Sequence, residues 1–212
     1  MAVITISRQF GSGGSDVAKL VATRLGWTLI DNEFVDQVAA RAGLTTEEVE
    51  RAEERVPGVI ERLARALAGS APEMFAAAAD PAAATLPPED QILRQTQAVI
   101  AEAVSHGNVV MVGRGAQAYL GERVSALHVY LVAPREQRLS AIMKRLGLSQ
   151  KDAEKALDDT DAGRRRYVRE HYGRHWDDST NYDLVVNTGR FGIEEAAGLV
   201  VEAAARRFTA SP

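Results

Sequence analysis

Val3-Ile4-Thr5-Ile6-Ser7-Arg8-Gln9-Phe10-Gly11-Ser12-Gly13-Gly14-Ser15-Asp16-Val17-Ala18-Lys19-Leu20-Val21 reads as a strand, a glycine-rich turn and a helix in direct succession. The β-branched run from Val3 to Ser7 is apolar enough to be buried on both faces. The helix carries Val17, Leu20, Val21 and Leu25 on one side and stops at Gly26, a C-terminal signal. Glycines at 11, 13 and 14 let the backbone come close to an anion, and the helix N-terminus aims free N–H groups and a partial positive charge at it. The same turn can also be no more than a tight connection, but its place after the N-terminal strand favours a phosphate cradle formed by Gly11, Ser12, Gly13, Gly14 and Ser15. Set against G-x-x-x-x-G-K-[ST], Ser15 stands at the Mg²⁺-ligating hydroxyl, the first glycine is Arg8 and the lysine is Gly14. The missing lysine removes a point charge from the β and γ phosphates, so another cation has to supply it or catalysis suffers. Arg8 and the arginines of the C-terminal third are the candidates.

The rest of the chain extends the same pattern. Further strands are expected at Thr28 to Ile30, Val109 to Val112, Leu127 to Val132 and Leu184 to Val186, with crossovers long enough for helices. The expected fold class is therefore α/β: a five-stranded, mostly parallel sheet covered by helices on both faces. At 212 residues and 46% hydrophobic content, one domain with helical appendages fits the length. Residues 32–106 read as a helical substrate-side insertion: Thr45 with Glu48 forms a capping box, Val59 to Leu67 is amphipathic, and a helix from Asp90 to Ser105 leads to the third strand. Within it, residues 69–88 are rich in Ala and Pro and are expected to be a mobile linker or a lid. A last helix from Ile193 to Phe208 closes the domain.

Composition narrows the function classes. The chain has no cysteine, which removes disulfides and thiolate metal sites and fits a reducing, cytoplasmic setting. Its formal charge of -4 argues against nucleic-acid binding through a global positive field. No run approaches the ~20 apolar residues of a membrane helix.

Three segments, ITISRQFGSGGSDVAKLVATRLGW, VVMVGRGA and RRRYVREHYGRHWDDSTNYDLVVNT, resemble the cytidylate kinase-like family, in which an SRQFGSGG loop replaces the ordinary P-loop. The resemblance covers nearly the whole chain. It implies a P-loop kinase core, ATP and Mg²⁺ as phosphoryl donor, and a small-molecule nucleotide, a nucleoside monophosphate, as acceptor. It also implies that Asp31, at the carboxyl edge of the sheet, positions the acceptor or a magnesium-bound water; a capping role for the following helix is the other reading. Cytidylate kinase follows this aspartate with serine or threonine, glycine and an arginine for the acceptor phosphate, where this chain has Asn32, Glu33 and Gln37. Gly113-Arg114-Gly115 stands where cytidylate kinase has Gly-Arg-Asp. Arg114 retains the guanidinium fork suited to a phosphate, while the aspartate that holds the sugar is Gly115. An acceptor other than plain CMP is the expectation.

Residues 135–175 form the expected lid, carrying Arg135, Arg138, Lys144, Arg145, Arg164, Arg165, Arg166, Arg169 and Arg174. Ser149 and Asp152 start a helix between the two groups, so the stretch reads as a helix, a short lid helix and a returning helix. The resemblance implies that lid arginines such as Arg145 and Arg164 neutralise the transferring phosphoryl, and that Asp161 with Arg164 matches the family's Asp-x-x-Arg, with Asp161 on the acceptor side. His171 and His175 are four apart but lack a convincing third ligand. The expected function is transfer of the ATP γ-phosphoryl group to a nucleoside monophosphate or similar phosphorylated acceptor. A nucleotide-binding regulatory protein that kept the cradle and lost the chemistry, which Gly14 favours, is the alternative.

Overall fold

The computed structural model describes residues 2–31, 93, 97, 100, 101, 103–105, 107–122 and 125–209. The expectations for Thr45 to Leu67, residues 69–88, Asn32, Glu33 and Gln37 lie outside these residues. The chain divides into two compact units, Ala2–Leu29 with Asn108–Pro212 and Ile30–Gly107 with Met1. Within the latter, the described residues at 93, 97, 100, 101 and 103–105 are helical.

The elements with defined bounds follow one another as β1 (Val3–Arg8), α1 (Gly14–Leu25), β2 (Thr28–Asp31), β3 (Val109–Val112), α2 (Ala116–Leu120), β4 (Ala126–Val132), α3 (Arg135–Leu146), α4 (Gln150–Tyr172), a 3-10 turn (Ser179–Asn181), β5 (Leu184–Asn187) and α5 (Thr188–Thr209). The strands line up in the order β2-β3-β1-β4-β5, and β1 runs parallel to β3 and β4 while β5 runs parallel to β4. The strand order jumps from one side of β1 to the other, which makes the carboxyl end of β1 the place where open α/β sheets bind ligands. All five strands fall where the sequence places them, to within a residue at each end.

Val3, Ile4 and Ile6 of β1 are completely buried, as a central parallel strand requires. One sheet face packs Ile4, Ile6, Val129 and Leu131 against Val17 and Val21 of α1 and Ala197 and Val200 of α5. Burial of aliphatic side chains of this size stabilises the fold by roughly 1.5–3 kcal/mol each. On the other face Tyr130 packs with Ala118, Val168 and Trp176, and its ring stacks on Tyr182 at a centroid distance of 4.9 Å.

Two helices differ from expectation. No separate lid helix interrupts the arginine-rich stretch: α4 runs unbroken for 23 residues. Ser149 caps it by accepting from the Asp152 N–H at 3.2 Å, and Ala153, Leu157, Asp161 and Val168 form one buried stripe at helical spacing. Gly163 does not break it, because one glycine costs only about 1 kcal/mol against alanine. The C-terminal helix starts at Thr188, ahead of the expected Ile193; its first turn ends at Gly192, where the backbone leaves helical geometry (φ 76°, ψ 173°), and regular helix resumes at Ile193.

A buried polar link crosses the sheet at His128. Its Nε2 lies 3.0 Å from the Gly121 carbonyl, which can only accept, and in the neutral ring Nδ1 then accepts from the Thr5 hydroxyl at 2.7 Å. Burial disfavours the charged ring and holds its pKa below the usual 6.5, outweighing the favourable pull of the Gly121 carbonyl and Asp183. The unfolded chain therefore takes up a proton near 6.5 that the folded one refuses, so this contribution is present above that pH and fades as pH falls. Urea unfolding at pH 7.5 and 5.5 is expected to show a smaller acid loss in His128→Gln than in the parent. Equal losses would contradict this role.

Candidate active site

The glycine-rich turn sits at the carboxyl end of β1. Gln9 fixes its start: its N–H donates to the Leu131 carbonyl at 2.9 Å, and its side-chain Oε1 accepts from the Ala133 N–H at 3.1 Å. Ser12 closes the turn, with its N–H and its hydroxyl both donating to the Gln9 carbonyl, at 3.2 Å and 2.8 Å. Ser12 thereby holds the shape of the loop and offers neither donor to a ligand in this conformation. Its own carbonyl accepts from the Thr188 hydroxyl at 2.8 Å, which anchors the loop to the start of α5.

Past Ser12 the chain enters α1 through Gly13, whose φ of 73° is left-handed and which has no side-chain cap. The first intrahelical bond runs from the Val17 N–H to the Gly13 carbonyl at 3.0 Å. The amides of Gly14, Ser15 and Asp16 therefore have no helical partner and face the sheet's carboxyl edge with the positive end of the helix dipole. Ser15 is half-buried beside them.

Close approach explains the glycines. A Cβ on Gly11 would lie 2.6 Å from the Arg138 carbonyl oxygen and 3.1 Å from its Cα, both α3 backbone that cannot give way. A Cβ on Gly13 would lie 2.3 Å from Ile193 Cδ1, so a bulky residue there perturbs α5 as well as the cradle. Gly14 is pressed by the side chain of Arg8.

A buried ion pair clamps the loop from below. Arg138 Nη1 donates to Asp161 Oδ2 at 2.7 Å, with side-chain exposures of only 8% and 6%. The same Nη1 lies 3.1 Å from the Phe10 carbonyl, Arg138 Nε donates to the Ala133 carbonyl at 3.1 Å, and Asp161 Oδ1 accepts from the Phe10 N–H at 2.8 Å. The pair thus grips both polar groups of Phe10 and joins the loop to α3 and α4. Arg164, one turn further along α4, donates from Nη1 to the Arg8 carbonyl at 2.6 Å, and its guanidinium lies 5.8 Å from the centre of the Phe10 ring.

The arginines expected to act together therefore divide. Arg164 touches the loop. Arg138 is inside the protein as a clamp, a role not read from the sequence. Arg145 is exposed in the last turn of α3, roughly 10 Å along the helix axis from Arg138 at 1.5 Å per residue. Arg135 bridges to Asp158 on the surface, and Arg165 lies 3.9 Å from Asp177. Asp161, expected beside the acceptor, directs both its oxygens at the clamp.

Arg114 lies next to the loop strand, since the Gly113 N–H donates to the Ile6 carbonyl of β1 at 3.1 Å. Gly113, Arg114 and Gly115 are all left-handed, with φ of 75°, 55° and 64°. For an arginine this conformation is uncommon and costs on the order of 1 kcal/mol or more, so packing holds it there. Part of that packing is aromatic: a Cβ on Gly115 would lie 2.6 Å from Tyr172 Cε2 and 3.2 Å from Tyr167 Cε1. Asp31 ends β2, is buried, and belongs to the Ile30–Gly107 unit. Among the described residues no group of three or more His, Asp or Glu side chains could hold a metal; His171 instead packs edge-on to Tyr167 at 4.6 Å. No helix of the described residues is long and apolar enough to cross a membrane.

A parallel sheet with a glycine-rich turn feeding a helix at its central strand is the architecture of the P-loop kinases. The backbone is similar to that of a protein from Eubacterium ventriosum (TM-score 0.66, 20% identity, 96% of this chain and 98% of that one). It is also similar to shikimate kinase from Acinetobacter baumannii (TM-score 0.53, 17% identity, 97% and 94%). Residues 3–190 match the profile of the Cytidylate kinase-like family, and the chain belongs to that family. Cytidylate kinase from Archaeoglobus fulgidus is 31% identical over 205 residues, 94% of this chain and 93% of that protein. Cytidylate kinase from Thermoplasma volcanium is 27% identical over 203 residues, 93% and 88% of the two. A 131-residue stretch is 38% identical to uronate isomerase from Corynebacterium glutamicum; it is 60% of this chain and spans only 24% of that longer protein.

Proposed function

We propose that this protein is a cytoplasmic kinase that moves the γ-phosphoryl group of ATP onto a small phosphorylated acceptor, a nucleoside monophosphate of the cytidylate type being the first candidate. The observation that carries this is the uncapped start of α1 behind a rigidly clamped glycine-rich turn at the carboxyl end of the central strand. Family membership and the cytidylate kinases matched over nearly their whole length support it.

In this reading the amides of Gly13, Gly14 and Ser15 hold the donor phosphates, and Gly11 and Ser12 keep the loop in shape. The Ser15 hydroxyl would hold Mg²⁺, which when bound would supply positive charge against the donor phosphates. Arg114 binds the acceptor phosphate. An acceptor phosphate oxygen is largely ionised at pH 7, its second pKa being about 6, so no base is required. Its bond to the γ phosphorus forms as the bond from phosphorus to the bridging oxygen breaks, and ADP leaves with the electron pair. Charge on the transferring group is then the main barrier, which Arg8 and Arg164 lower, while Asp161 acts by positioning the loop.

The sugar side of the acceptor site differs from that of cytidylate kinase. Tyr172 and Tyr167 fill the space in which a side chain at Gly115 would stand, so a carboxylate that would grip ribose hydroxyls has no room, and CMP is expected to be a slow acceptor. The second reading, a nucleotide-binding regulator without turnover, draws on Gly14 at the lysine position.

ATP with Mg²⁺ is expected to raise the melting temperature, since a ligand that binds only the folded state stabilises it by mass action, by about 2.7 kcal/mol at a hundred times its Kd. No shift at millimolar ATP would remove both readings.

A further inference from the structure

Gly14 is the first residue of α1 and its φ is not left-handed. Nothing in its backbone conformation calls for glycine, which forms helix less readily than alanine. Its surroundings do call for it. A Cβ on Gly14 would lie 2.5 Å from Arg8 Cγ, 2.6 Å from Arg8 Cβ and 3.3 Å from Arg8 Cδ. The aliphatic stem of Arg8 therefore runs through the volume in which the stem of a lysine at position 14 would begin. The ordinary loop has glycine at the position of Arg8 and lysine at that of Gly14; this chain exchanges the two residue types between the ends of one turn.

We infer that the exchange is reciprocal: Arg8 is the loop's phosphate cation, delivered from the end of β1 across the space that Gly14 leaves open, and position 14 must be glycine because position 8 is arginine. This rests on the reading of the loop as an ATP cradle and assigns the charge within it. Three features hold Arg8 in that place. Its backbone is paired with Leu131 of β4, its carbonyl accepts from Arg164 at 2.6 Å, and its half-buried stem is wedged against the buried first turn of α1. The substitution also changes the chemistry. A lysine ammonium is a point charge, whereas a guanidinium is a planar fork that donates to two oxygens at once.

The test is a double-mutant cycle read as ATP·Mg²⁺ affinity by calorimetry, with the melting temperature of each unliganded variant as a folding control. Arg8→Gly is expected to weaken ATP at least tenfold with little change in unliganded melting. Gly14→Lys alone is expected to weaken binding as much or more, and to lower the melting temperature, because the new stem meets Arg8. Arg8→Gly combined with Gly14→Lys is expected to recover affinity to within a few-fold of the parent and to melt above Gly14→Lys. If Gly14→Lys does not fold, recovery of the double variant from the level of Arg8→Gly decides alone. Parent-like ATP affinity in Arg8→Gly, or a double variant no better than Arg8→Gly, would overturn the assignment while leaving the cradle standing. A parent protein that binds no ATP would overturn the cradle and the assignment with it.

Discussion

Asp161→Ala is expected to destabilise the protein by about 3–5 kcal/mol, the usual consequence of stranding one member of a buried ion pair. The Arg138 guanidinium it leaves behind is 8% exposed and keeps only the carbonyls of Ala133 and Phe10 as acceptors. The Phe10 N–H loses its acceptor as well. For a chain of this length the loss corresponds to a fall in melting temperature on the order of 10 °C. Asp158→Ala is the matched control: it breaks the Arg135 pair, whose side chains are 52% and 59% exposed, and a solvent-screened pair of this kind contributes little. Urea unfolding of the two variants measures the contrast. A cost below 1 kcal/mol at Asp161 would mean that the loop does not depend on the clamp.

The second large effect is kinetic. Arg164→Gln is expected to lower kcat by about 10²-fold or more while leaving the acceptor KM nearly unchanged, the signature of an interaction that strengthens mainly as charge develops on the transferring group. Arg114→Ala should do the reverse and raise the acceptor KM, because its contact with the acceptor phosphate already exists before transfer. Steady-state kinetics with the best acceptor separates the two, and equal, small effects from both would contradict the division of labour. Arg164 also holds the Arg8 carbonyl, so part of its effect passes through the loop. An Arg164→Lys variant that keeps charge but not the planar fork should fall between the two.

The fold was legible because the signals were local. Val3 to Arg8 is a β-branched run buried on both faces, and glycine follows α1, α3 and α4 as a left-handed cap at Gly26, Gly147 and Gly173. The turn after β1 was legible for the same reason. What escaped was tertiary. A row of arginines reads as a solvated or ligand-facing run, and nothing local distinguishes the buried one, although Arg138 stands four residues before Ile142, on the stripe of α3 that faces the core. Asp161 is placed on the acceptor side by the family resemblance alone; its burial on the stripe of α4 with Ala153 and Leu157, where it meets Arg138 and the Phe10 N–H, has no local signal. The continuity of α4 was missed because the cap at Ser149 is visible in sequence, whereas the absence of a stop signal before Gly173 is easily outweighed by a change in charge. Why Gly14 replaces lysine could not be read from the motif alone, since the reason is the stem of Arg8, six residues away and across the turn.

The central claim is that this loop supports phosphoryl transfer, and acceptor-dependent ADP release tests it most directly. Purified protein with ATP and Mg²⁺ should release ADP faster in the presence of at least one nucleoside monophosphate or comparable phosphorylated acceptor than in its absence, with CMP and dCMP not the best of the panel. ATP binding without acceptor-dependent ADP from any member of the panel would contradict the claim and leave a nucleotide-binding regulator in its place.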